Sequence, residues 1–146
     1  MKRPSKALKT LLWVRELKEQ QAEQRFQQAQ QALLDLENML KEVSARPKKI
    51  FDEISGKVLS GEEIKAVYQH VEKLLAEKEE VEKILERKRK ELENLRRETI
   101  KAHQHRQIAE RLWERAQKAF LRELLAEETK TVEDIIIMRG RGDENA

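Results

Sequence analysis

The sequence predicts an all-α protein: a long antiparallel two-helix coiled-coil hairpin with a longer C-terminal helix. Three observations carry this. First, of 146 residues 40 % are charged and only 4 % aromatic, with four Gly, two Pro and no Cys. So much charge beside so few aromatics and turn residues is the composition of long helices rather than of an ordinary globular domain. Second, apolar residues recur in alternating steps of four and three. They run through Ala22, Phe26, Ala29, Leu33, Leu36, Leu40 and Val43, then again from Ile64, Val67, Val71 and Leu74 to Trp113, Ala116 and Phe120. A 3.5-residue repeat held this long is a coiled-coil seam. Third, the two runs are separated by a single punctuated stretch.

Taken in order, helix 1 spans about residues 5–55, with Ser5 after Pro4 placed to cap it. Its seam, followed back from Ala22, meets Glu19 and Arg15 before Leu12 and Leu8, so a polar layer interrupts it near the N-terminus. Pro47 has no N–H and its ring crowds the preceding turn, which predicts a kink near Arg46. Gly56 and Gly61 bracket a turn at about 56–60, and Ser60 with Glu63 reads as a capping box that opens helix 2. Helix 2 then spans about 61–138, where Gly140 and Gly142 signal its end and leave a flexible tail at 139–146. The whole chain, 1–146, forms a single coiled-coil domain.

Helix 1 would be ~75 Å long and helix 2 ~115 Å at 1.5 Å per residue. With level helix ends, Phe26 lies near Leu92 and Leu12 near Arg106. Roughly the last 25 residues of helix 2 then lack an intramolecular partner. That overhang is amphipathic, with Phe120, Leu121, Leu124 and Leu125 followed by Ile135 to Met138. Exposed apolar surface of this kind marks a protein interface, or else a self-dimer or third packed layer. At the turn, Ile50, Phe51, Ile54 and Tyr68 place apolar side chains near the hairpin tip, for docking or for capping the coil. Trp13 and Trp113 fall towards the open end.

The chemistry these residues exclude is as informative. Without Cys there is no disulfide or thiolate metal site. His103 and His105 point about 200° apart on a helix and cannot share a metal, and His70 is isolated. Asp52 and Glu53 have no nucleophile or histidine partner, so no catalytic, cofactor or metal site is expected and the protein is not read as an enzyme. No apolar run reaches the ~18 residues that span a bilayer, and no signal-peptide core follows the basic N-terminus, which reads as a cytoplasmic protein. Net charge is +3, concentrated before residue 20, while Lys and Glu interleave beyond it as on a solvated helix. A nucleic-acid binder would carry a basic stripe along its working surface, so no nucleic-acid partner is expected.

Two stretches resemble a known family. Ala7 to Glu19 is a leucine-patterned segment with Arg15-Glu16 before a Glu/Gln-rich helix, and Glu127 to Ile135 with Arg139 is an acidic–basic run leading to an acidic pair, apolar residues and Arg. With the chain length and the longer second helix, they resemble the FliJ family of flagellar export proteins, and more distantly the stalk proteins of type III injectisomes. Pro47 and the run Ile135 to Ile137 depart from that pattern.

The resemblance implies a stalk similar to that of rotary ATPases, serving flagellum biogenesis and motility. Its paired termini would engage the hexameric export ATPase FliI and promote its assembly and hydrolysis. Another surface would contact the export gate protein FlhA, and the family is also credited with escorting export chaperones. Such a protein would be cytoplasmic and peripheral to the inner-membrane export apparatus. Mapped onto this chain, the ATPase end comprises Leu8, Leu12, Trp13, Leu124, Leu125, Ile135 and Met138. The export-gate surface comprises Phe51, Tyr68, Val71 and Leu74. An injectisome stalk shares these features; a generic coiled-coil scaffold and a nucleic-acid-binding hairpin are the readings from other classes.

Overall fold

The computed structural model describes residues 3–144. It holds two helices, α1 (Lys6–Ile54) and α2 (Gly61–Glu144), packed against each other as a hairpin, with no strand among the described residues. At 49 and 84 residues they are about 74 and 126 Å long. Contacts divide the chain into two compact units: unit 1 is Met1–Gln20 with Lys101–Ala146, and unit 2 is Gln21–Ile100.

Both helices open on a serine. The Ser5 hydroxyl accepts from the Ala7 amide at 3.2 Å and the Ser60 hydroxyl from the Glu63 amide at 3.2 Å, each satisfying an amide that has no partner in the first turn. At the end of α1 the Lys57 amide donates to the Ile54 carbonyl at 3.1 Å. Gly56 makes that reversal at φ +78°, a conformation other residues enter at a cost.

The seam is where the heptad pattern places it. Val43, Val71, Leu74, Leu85 and Ala109 are the buried apolar side chains, and all occupy seam positions. The half-buried positions continue the same alternation along α1, from Leu8 and Leu12 through Phe26 and Leu40 to Pro47, Ile50 and Ile54. α1 is not broken at Pro47. The proline removes the hydrogen bond to the Val43 carbonyl, but the seam residues on both sides hold the helix in register.

The register differs from the one read from level helix ends. In unit 2 the Thr99 hydroxyl reaches the Ala22 carbonyl at 3.3 Å. Stepping by the heptad from that pair sets Phe26 opposite Leu95, not Leu92, and Ile54 opposite Val67. In unit 1, Leu11 lines a groove with Ala109 and Leu112, which sets Leu12 nearer the level of Ala109 than of Arg106. The cause is the link. It carries the chain onward past the end of α1, so α2 begins six residues before Val67, about 9 Å further out. Ile64, a seam position with no α1 residue left to meet it, is accordingly exposed.

α2 also runs further than expected, through Gly140 and Gly142 to Glu144, where a stop near Arg139 and a tail at 139–146 were anticipated. Neither glycine takes a positive φ. A glycine ends a helix only by adopting the left-handed cap. Within an exposed helix it instead costs about 1 kcal/mol, which the chain tolerates. Residues 145 and 146 lie outside the described residues.

Candidate partner-binding surfaces

In unit 2 the tip residues separate into contacts and supports. Phe51 and Tyr68 are exposed and occupy equivalent positions flanking the seam on α1 and α2. They share the flank on which Arg89 pairs with Glu37 at 3.6 Å further along. Val71 and Leu74, by contrast, are only 8 % and 4 % exposed, because they are seam residues packed on α1. Buried there, they offer no surface of their own. The structure adds two residues to this end: Val58, fully exposed at 100 % in the link, and Ile64.

In unit 1 the N-terminal residues and the overhang present different faces. Leu8 and Leu12 are half-buried in the seam, whereas Trp13 and Leu17 are exposed on the outer face of α1. Beyond Phe120 the former seam positions of α2 carry Glu123, Glu127, Lys130 and Asp134, and α1 has no residue opposite them. The apolar surface moves instead to Leu121, Leu125, Val132 and Ile135, about two-fifths of a turn around the helix. Leu124 is half-buried, Leu125, Ile135, Ile136 and Ile137 are exposed, and Met138 is 73 % exposed. Shallow grooves flank this ridge, one lined by Leu124, Glu127, Glu128, Thr131 and Val132 and another by Leu125, Glu128, Thr129, Val132 and Glu133.

Between these ends of unit 1 lies the polar layer. Glu19 Oε2 accepts from Arg106 Nε, and Glu19 Oε1 lies 3.2 Å from His103 Nδ1. Arg106 also pairs with Glu110, and Arg15 Nη1 lies 3.4 Å from His105 Nδ1. The Glu19 and Arg106 side chains are only 14 % and 23 % exposed. Burial raises the Glu19 carboxyl, but hydrogen bonds from His103 and Arg106 outweigh it and hold the group below the ordinary carboxylate range. The Glu19 hydrogen bond in turn keeps Arg106 more firmly protonated. The three histidines are exposed. Among the described residues, no group of three His, Asp or Glu is placed to hold a metal ion, and no helix is long and apolar enough to cross a membrane.

A paired-helix scaffold with a charged seam layer and uncovered apolar residues defines an all-α helical hairpin, whose candidate binding surfaces are faces rather than a pocket. Compared with known families, residues 4–144 match the one described as Flagellar FliJ protein, and the chain belongs to the FliJ family. It is accordingly a protein of the flagellar export apparatus. Comparison with curated proteins and with solved structures gave no match.

Val58, Ile64 and Val132 are exposed residues that the sequence reading did not assign to a surface. For the overhang, the available signal was the change of heptad phase after Phe120. For Val58 there was none, because exposure in a link depends on the path the link takes.

Proposed function

We propose that this protein is the stalk of the flagellar export ATPase. Its open end, with Leu8, Leu12, Trp13, Leu124, Leu125, Ile135 and Met138, engages the hexameric ATPase FliI and promotes ring assembly and hydrolysis. Its tip, with Phe51 and Tyr68 in contact and Val71 and Leu74 as support, meets the export gate protein FlhA at the inner membrane. Export chaperones are further partners.

The observation that carries this reading is the length of α2 beyond α1: an apolar helix end that the chain itself leaves uncovered. A packed seam transmits position along its length, whereas a flexible link would absorb it. The experiment is ATP hydrolysis by the same organism's export ATPase over a titration of this protein. A saturable rise supports the stalk, and Leu124→Ala with Leu125→Ala should abolish it at unchanged helicity. A flat titration with folded protein rejects the reading. Tyr68→Ala should weaken binding to the gate and leave ATPase binding intact.

A further inference from the structure

We propose that the α2 overhang pairs with the overhang of a second copy of this chain, antiparallel, through the face that bears Leu125, Glu128, Val132, Ile135 and Arg139. This goes beyond the stalk reading and does not rest on it.

These five residues follow one another in steps of three and four, the spacing of a coiled-coil seam, on a helix that is continuous to Glu144. All five are exposed. In an antiparallel pair each inner position meets the complementary position of the other helix, so only a few registers are available. One of them sets Val132 opposite Ile135 and Glu128 opposite Arg139, and twofold symmetry repeats both pairings. The same register brings Ile136 and Met138 to the flanks of the pair, where they cover the apolar centre.

The neighbouring registers fail on charge. Shifting the copies by one heptad in one direction sets Glu128 against Val132 and Arg139 against Leu121, burying unpaired charges. A parallel, in-register pair sets Glu128 against Glu128 and Arg139 against Arg139. The two charges therefore select an antiparallel second copy and discriminate against the alternatives. The overlap from Leu125 to Gly142 is about 27 Å long. That is a small interface, which implies a reversible dimer with a dissociation constant in the micromolar range or weaker. Such a dimer covers Leu125, Ile135 and Met138, so it would exclude any other partner from that face.

The test is sedimentation equilibrium of the full chain, with no other protein present, from micromolar to millimolar concentration. A concentration-dependent monomer–dimer equilibrium is expected. Glu128→Arg and Arg139→Glu should each weaken it by about tenfold or more, and the double swap should restore it to near the starting value. Circular dichroism confirms that helicity is unchanged. Because the chain has no cysteine, Val132→Cys mixed with Ile135→Cys should form a disulfide between copies, while Leu125→Cys alone should not. A monomer at every concentration, a double swap that fails to restore pairing at full helicity, or ready self-cross-linking of Leu125→Cys would overturn the proposal. None of these outcomes depends on whether the ATPase binds.

Discussion

Glu19 of α1 and Arg106 of α2 are seam residues hydrogen-bonded to each other across the hairpin, where the rest of the repeat would place apolar side chains. The sequence around them makes this stretch unusual. The adjoining seam positions are Arg15, Ala102 and Ala109, so no large apolar side chain fills the layer. Its order comes from directed hydrogen bonds, which fix the register at the expense of stability.

Removing one partner should therefore cost more than removing both. Glu19→Ala or Arg106→Ala leaves a charge in the seam without its main partner and should lower the urea midpoint. Glu19→Leu combined with Arg106→Leu should be neutral or stabilising. Urea denaturation of the three variants decides it; equal losses in all three would refute the account.

Acid should loosen the same layer. The folded Glu19 carboxyl lies below its ordinary value, so the unfolded chain binds the extra proton as pH falls. Its contribution is fully present above the unfolded carboxylate value of about 4.3 and is lost as pH drops through the folded one. Glu93, held low by its hydrogen bond from Arg96, acts in the same direction at the surface. Melting curves between pH 6 and pH 3 (roughly the window that brackets these groups) should show a shallower decline for Glu19→Gln than for the parent chain.

Pro47 interrupts the hydrogen bonding of a helix that nonetheless continues to Ile54. Pro47→Ala restores a donor to the Val43 carbonyl while giving up some contact in the seam. A net gain of about 1–2 kcal/mol is expected, seen as a higher urea midpoint at unchanged slope.

Gly56 sits at φ +78° with open space where a Cβ would be. Gly56→Ala should cost about 1 kcal/mol through backbone strain alone, without any steric clash. A stabilised Gly56→Ala variant would show that the link takes another path.

The tip separates contact from support. Val58→Ser should leave stability within about 0.5 kcal/mol, since the side chain touches nothing, whereas Val71→Ala should lower it by about 1–2 kcal/mol. If the tip docks on a partner, Val58→Ser weakens that binding without moving the melting temperature. An unchanged affinity would remove Val58 from the surface.

Local pattern alone carried the helices, both serine caps and most of the seam, including its polar layer. These depend on spacing along one helix and on groups within a turn of each other, so the residues themselves determine them. What the tertiary structure decided is the match between helices. Ala22 meets Thr99 because of the path taken by Ser55 to Ser60, and no periodicity records that path. The exposure of Val58 and Ile64 follows from the same offset. At the other end, Gly140 and Gly142 bear the signature of a helix stop, yet α2 continues through them. A glycine permits the terminating conformation without compelling it, and whether the chain takes it is settled by the packing and hydrogen bonds around it.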